Sequence, residues 1–165
     1  MYRATHMIHK VVLAALLILL PVNSFAQDQA SDLILRVRTV TAKMPKKQKA
    51  KVKSRSQKID MRLKDLAMKF EGLKFSKFEM TTDIAKKVQL DQKLEFALDH
   101  GQVLFIKPMG KTAQGISLWL NWKDGHGADI LDTKLNLPIG ESMVTGMDAS
   151  DDSGMLLAVN IAKAQ

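Results

Sequence analysis

Apolar and polar residues alternate along short runs in the second half of the chain, and this alternation most strongly limits the possible folds. In the first run Leu94, Phe96 and Leu98 occupy every second position. A spacing of two puts side chains on one face of a β-strand. Later runs repeat the spacing, with apolar members Ile116, Leu118, Leu120, Trp122, Leu131, Leu135, Leu137, Met155, Leu157, Val159 and Ile161. The pattern over 93–161 predicts a mainly β fold, an antiparallel sandwich or partly open barrel of about seven to nine short strands.

Turn-forming residues separate these runs and set the predicted strand ends. Asp99–Gly101 joins the first two runs as a hairpin turn, because Gly tolerates positive φ. Pro108 and Gly110 are predicted to end the second strand, since proline cannot donate to a ladder. Residues 123–127 are predicted to form a loop, and Asp148–Gly154 an acidic loop before the last strand.

The region from Leu33 to Leu90 combines strands with one helix. Alternation from Leu33 predicts a first strand ending near Val40, and further strands are predicted at 78–82 and at Val88–Leu90. Between them the apolar spacing changes to that of one helical stripe, formed by Ile59, Leu63, Leu66, Ala67 and Phe70. This spacing predicts one helix near 59–71, packed on the sheet and closed by Gly72.

The first 26 residues have the pattern of a secretory signal peptide. Basic Arg3 and Lys10 precede the apolar run Val11–Leu20, and Ser24–Ala26 places small residues where a signal peptidase cleaves. The run is about half as long as the ~20 residues that a membrane span needs, so a cleaved signal peptide is predicted. A short uncleaved anchor is the alternative. The prediction is a signal peptide at 1–26 and a single β-rich domain at 27–165. That domain would be exported to the periplasm or the extracellular space, with no membrane span.

The chain contains no cysteine, which excludes disulfides, thiol catalysis and thiolate metal sites. Charge is distributed unevenly along the chain. Residues 36–87 contain 17 basic and 5 acidic side chains, whereas residues 88–165 contain 6 basic and 10 acidic ones. Such asymmetry is typical of proteins with a surface that faces a polyanion.

A basic segment at 43–58 is the densest part of this charge. It contains no acidic residue, and its basic side chains are Lys43, Lys46, Lys47, Lys49, Lys51, Lys53, Arg55 and Lys58. A like-charged segment with little to bury predicts a mobile loop. The alternative is a two-stranded ribbon, because basic residues alternate at 49–55. The segment predicts binding to an anionic surface or polymer; a solvated loop without a partner is the alternative. It lacks aromatic residues that could stack on bases, so nucleic acid is not expected.

Several residue groups could carry chemistry, but each has a simpler structural explanation. Asp124, His126 and Asp129 could approach a metal, yet one imidazole between glycines is also what a tight loop contains. The acidic group Asp148, Asp151 and Asp152 does not have EF-hand spacing. Solvated turns are predicted at both places, and no metal site.

Catalysis is not predicted either. Gly110–Thr112 resembles the end of a phosphate-binding loop, but the Gly required five positions earlier is Phe105. His100 has no serine or carboxylate at a recognisable spacing and fits a turn. We therefore predict no catalytic residue, no cofactor and no enzymatic activity; the least favoured alternative is a hydrolase that uses His100 or His126 with nearby Asp residues. Trp119 lies opposite the apolar set of its strand, so it either anchors an interface or is buried under a second layer.

Two stretches resemble the final domain of bacterial secretins. Gly101–Pro108 has the form G-x-x-L-x-x-x-P and is followed by the alternating strand Gly115–Leu120. Residues 133–137 followed by 139–146 are similar to the secretin run that ends in a glycine turn. The sequence departs from the family in lacking ring-building modules and in being too short for a gated channel. The resemblance implies a small exported domain with secretin-like strand order, an accessory envelope protein. The leading functional hypothesis is a non-enzymatic module that binds a protein or envelope component, and the alternative is a polyanion or membrane-surface binder.

Overall fold

The structure, a computed structural model, describes residues 33–44 and 57–164. Within these ranges the chain forms nine strands and one short helical segment. The strands are β1 (Leu33–Lys43), β2 (Lys58–Ile59), β3 (Lys77–Val88), β4 (Leu94–Ala97), β5 (Val103–Thr112), β6 (Gly115–Lys123), β7 (Asp129–Leu137), β8 (Ser142–Ser150) and β9 (Ser153–Lys163). The helical segment is a 3₁₀-helix at Met61–Leu66 that continues as the one-turn helix α1 (Ala67–Phe70), and a 3₁₀ turn lies at Asp99–Gly101.

The strands form two sheets that face each other as a sandwich. Sheet A has the strand order β2-β3-β1-β9-β8, and sheet B has the order β4-β5-β6-β7. All neighbouring strands are antiparallel except β2, which runs parallel to β3. The predicted mainly β sandwich of seven to nine strands with one packed helix is therefore confirmed. None of the described helices is long and apolar enough to cross a bilayer.

The main core lies between the two sheets and is built from the residues that alternate in sequence. Leu35 and Val37 of β1 face Leu118 and Leu120 of β6 in one cluster of buried side chains. A second cluster lies on the opposite face of sheet A, where the helical segment covers Val40 and other residues. The central strands β1 and β9 are consequently buried on both faces.

The helical segment packs on sheet A through the predicted stripe, except that Ile59, predicted as its first member, lies in strand β2 and the segment begins at Met61. Leu63, Leu66 and Phe70 have no exposed surface, and the Phe70 ring stacks on Phe78 with centroids 4.4 Å apart. The Asp60 side chain caps the segment, because it accepts a hydrogen bond from the Arg62 backbone N at 3.0 Å. Most of the segment is 3₁₀ rather than α-helical. The turn after it contains Gly72 at φ 83°, as predicted for a helix end.

Strand ends differ from the predictions at several places. β5 does not stop at Pro108 but continues to Thr112 across a bulge between Pro108 and Gly110. Proline is tolerated there because the β4 ladder ends at the pair Leu94–Ile106, so Pro108 has β6 as its ladder partner.

Three other predicted boundaries were wrong for related reasons. The first strand runs past Val40 to Lys43, because β1 pairs with β3 from Leu33–Val88 to Lys43–Lys77. The separate strand predicted at Val88–Leu90 is not formed, since β3 ends at Val88 and a turn follows. The acidic loop predicted at Asp148–Gly154 is a tight turn at 151–152 between β8 and β9. The predicted signal peptide and most of the basic segment at 43–58 lie outside the described residues, so those predictions stay predictions.

Candidate functional site

Both described ends of the basic segment return to the same position on sheet A. β1 ends at Lys43 and β2 begins at Lys58, and each pairs with Lys77, the first residue of β3. Neighbouring strands lie about 4.8 Å apart, so three lysine Cα atoms fall within about 10 Å of one another. We refer to Lys43, Lys58 and Lys77 as the lysine row.

The three side chains of the lysine row project from one face of sheet A. Paired residues on neighbouring strands share a face, and successive residues alternate between faces. Next to the row, Ala42, Ile59 and Phe78 turn towards the cluster under the helical segment. The lysines therefore point away from the helical segment, at the end of the sheet where the basic segment begins and ends. Lys43 and Lys77 have 52% and 39% of their side-chain surface exposed.

A single carboxylate, that of Glu79, balances part of this charge. Its Oε1 lies 2.6 Å from Lys77 Nζ, and its Oε2 lies 3.5 Å from Lys43 Nζ. The hydrogen bond from Lys77, together with the charge of Lys43, lowers the pKa of Glu79 below its ordinary value. Lys58 forms no ion pair with any described residue. Among the described residues Glu79 is the one carboxylate that forms ion pairs with the row. The turn that contains Asp152 lies next to Lys43, since Met44 N donates to Asp152 O at 2.8 Å, but Asp152 forms no ion pair with the row.

A polar cluster around Asp99 lies on the same face of sheet A. Asp99 Oδ2 accepts hydrogen bonds from Thr39 Oγ1 and Thr82 Oγ1, each at 3.1 Å. Hydroxyl groups of Thr81, Thr39 and Thr82 lower the pKa of Asp99. A carboxylate that is held ionised in this way is a weak general base. The Asp99 side chain ties the turn that carries His100 to sheet A, and His100 has a φ of 58°. A cavity of about 180 Å³ lies beside this turn.

The loop after β6 uses its carboxylates to build a turn. Asp124 Oδ1 accepts backbone hydrogen bonds from His126 and Ala128, both at 2.9 Å, and these bonds lower the pKa of Asp124. Asp129 Oδ1 lies 2.6 Å from Lys123 Nζ. In the ranges that the structure describes, no three His, Asp or Glu side chains are grouped to hold a metal ion.

Trp119 lies on the outer face of sheet B and is partly exposed. Its indole Nε1 donates to Asp132 Oδ1 at 2.8 Å, and Lys93 Nζ lies 5.5 Å from the ring centroid. The same ammonium is 4.1 Å from the centroid of Phe105. Trp119 is absent from both buried clusters, so a role as an interface anchor stays open as a prediction.

The structure brings together only part of the predicted anion-binding set. Lys43 and Lys58 meet in the lysine row, whereas Lys46, Lys47, Lys49, Lys51, Lys53 and Arg55 lie outside the described residues. Sequence reasoning missed Lys77 and Glu79, because their proximity depends on strand pairing that no local pattern shows. Their only local signal is a lysine at the start of an alternating run.

No protein-family model matches the chain, and comparisons with curated proteins and with solved structures give no match either. The resemblance to the secretin domain therefore stays a prediction.

Proposed function

We propose that the protein is a non-enzymatic binding module that holds an anionic polymer or anionic surface through the lysine row. The observation that carries this proposal is the pairing of Lys43 and Lys58 with Lys77 on one face of sheet A. Placing like charges on adjacent strands destabilises a sheet. A polyanion that bridges the three ammonium groups would relieve this repulsion.

The sequence between Lys43 and Lys58 strengthens the proposal, because it adds six more basic residues and no acidic residue. Both ends of this segment are held beside Lys77, so its charge is tethered to the lysine row. Binding by clustered ammonium groups depends on charge and weakens as salt rises. The ligand class that fits is a chain or surface of closely spaced phosphate, sulfate or carboxylate groups. The absence of aromatic residues from 43–58 disfavours single-stranded nucleic acid.

A second candidate function is binding of an envelope protein, with Trp119 as the anchor. It is favoured by the partial exposure of Trp119 on the outer face of sheet B. We propose that either function is carried out outside the cytoplasm, and the signal-peptide pattern at 1–26 supports this. Binding of an envelope protein would be insensitive to salt and would be lost in Trp119→Ala.

The test of the first candidate measures binding to long-chain polyphosphate and to vesicles that contain phosphatidylglycerol. We compare the protein with the triple variant Lys43→Gln, Lys58→Gln, Lys77→Gln. The control is Lys111→Gln, Lys134→Gln, Lys163→Gln, which removes the same charge from exposed lysines outside the row. At roughly 1 kcal/mol per lysine near an anionic surface, the first triple should bind at least about tenfold more weakly at low salt. Equal losses in the two triples would contradict a site at the lysine row.

A further inference from the structure

The outer strand of sheet A, β8, has one side open for pairing. Among the described strands β8 pairs with β9 alone, so one side of its nine residues presents free backbone N–H and C=O groups. Natural edge strands are usually blocked by lysine, proline or several charges. β8 carries only Asp148 as a charged residue, whereas β7, at the edge of sheet B, carries Asp129, Asp132 and Lys134. A bulge between Asp148 and Ser150 interrupts the end of β8, so the regular edge suited to accept another strand is Ser142–Asp148.

A groove of about 510 Å³ lies along this edge. We call it the β8 groove; residues 144–148 of β8 form one side, Lys69 and residues 72–75 form the other, and Leu156 of β9 contributes to the lining. A Cβ atom at Gly146 would lie 2.5 Å from Leu156 Cδ2. The absence of a side chain at Gly146 therefore leaves space for the Leu156 side chain above β8. Leu73, with 37% of its surface exposed, adds a second apolar contact to the groove.

The charge on the groove favours an acidic occupant. Lys69 and Lys74 line the side opposite β8, and Asp148 is the one carboxylate among the lining residues. Lys74 Nζ lies 2.7 Å from Asp148, while Lys69 forms no ion pair with a described residue. Two copies joined by antiparallel β8 strands around a twofold axis would bring the same two lysines of each copy onto one face. An acidic strand would complement these charges without that repulsion.

We propose that the β8 groove binds an extended acidic peptide segment of a partner protein, which adds to sheet A beside β8. Main-chain hydrogen bonds to β8 would supply affinity, and alternate apolar side chains would enter the groove over Leu156. An acidic side chain at one of these alternate, groove-facing positions would lie beside Lys69. This site is separate from the lysine row, so it stands or falls independently of the proposed function.

The experiment uses the nine-residue synthetic peptide Val-Thr-Glu-Thr-Val-Thr-Glu-Thr-Val, in which Val and Glu share one face of the strand and Thr occupies the other. It is titrated into the ¹⁵N-labelled protein and followed by NMR. We expect shifted and protected amides in Ser142–Ser150 and in residues 69–75. Two further peptides carry N-methyl groups on alternate backbone nitrogens, one on the odd and one on the even positions. The peptide whose methyl groups face β8 should bind at least tenfold more weakly than the unmethylated peptide. The variant Leu73→Glu should weaken binding of the unmethylated peptide similarly, because it repels the peptide. Ile139→Glu is the matched control, since Ile139 is 39% exposed and lies outside the groove, and should bind as the unmodified protein does.

Three results would overturn the proposal. Shifts confined to Lys43, Lys58 and Lys77 would show that the peptide is held by charge at the lysine row. Equal binding of the N-methylated and unmethylated peptides in both registers would exclude strand addition. A dimer in sedimentation, with slowly exchanging β8 amides before any peptide is added, would identify a second copy as the occupant.

Discussion

The guanidinium of Arg38 and the carboxylate of Asp65 form a two-point ion pair that ties the helical segment to the centre of sheet A. Arg38 Nη1 lies 2.8 Å from Oδ1 and Nη2 lies 2.6 Å from Oδ2, and Nη1 also donates to the Arg62 carbonyl at 3.3 Å. The Arg38 side chain is only 2% exposed, although Asp65 is 56% exposed. The hydrogen bonds from Arg38 lower the pKa of Asp65. A charge on the central strand is thus neutralised by a residue 27 positions later.

Substituting Asp65→Ala leaves the buried Arg38 guanidinium without its counter-ion. We expect the free energy of unfolding to fall by about 1–3 kcal/mol, less than for a fully buried pair because Asp65 is half exposed. The double variant Arg38→Met, Asp65→Ala should recover most of that loss. Urea denaturation measures both. A double variant less stable than Asp65→Ala alone would show that the ion pair is not the relevant interaction.

The stacking of Phe70 on Phe78 gives a second prediction. Phe70→Ala removes a fully buried ring and should lower the free energy of unfolding by about 3–5 kcal/mol. Met68→Ala, two residues earlier on the same short helix, should change it by less than about 0.5 kcal/mol because Met68 is 82% exposed. Thermal and urea denaturation of the two variants check the contrast. Equal losses would mean that the segment does not pack on sheet A through Phe70.

The Asp99 cluster predicts a specific pH dependence. The threonine hydroxyls lower the pKa of Asp99 in the folded state. Its contribution to stability is therefore present above the unfolded pKa of about 3.9 and is lost as pH falls through the folded pKa. The stability difference between the protein and Asp99→Asn should be largest near pH 7 and should shrink below about pH 4. Urea denaturation from pH 7 to pH 2.5 measures this difference, and a difference independent of pH would refute the linkage.

Sequence periodicity was sufficient to predict the sandwich, because one face of β6 packs on the other sheet. Ile116, Leu118, Leu120 and Trp122 were predicted to face inward, and all four are buried. Periodicity was less informative for β9, which is buried on both faces. There Leu156 and Ala158 pack under the helical segment and break the simple alternation.

Features that depend on pairing between distant strands could not be predicted. Lys77 joins Lys43 and Lys58 only because β3 lies between β1 and β2 in sheet A. The free edge of β8 likewise follows from the strand order of sheet A, which no local pattern in Ser142–Ser150 shows. Pro108 was wrongly predicted to end β5, because at that position β5 pairs with β6 and no longer with β4.

Glu79 offers the most direct test of the proposed polyanion site. It is the carboxylate that competes with a ligand for Lys43 and Lys77. Glu79→Gln should lower thermal stability at low salt, because the two ammonium groups then repel each other, and high salt should reduce that loss. The same substitution should strengthen polyanion binding, whereas Lys77→Gln should weaken it.

The decisive measurement is the dissociation constant of long-chain polyphosphate for the protein, Glu79→Gln and Lys77→Gln at low salt. Glu79→Gln is predicted to bind more tightly, so its result differs from the simple loss of a folded site, and circular dichroism at the same low salt checks that both variants are folded. We predict tighter binding for Glu79→Gln and weaker binding for Lys77→Gln than for the unmodified protein. Identical dissociation constants for all three proteins would contradict a polyanion site at the lysine row.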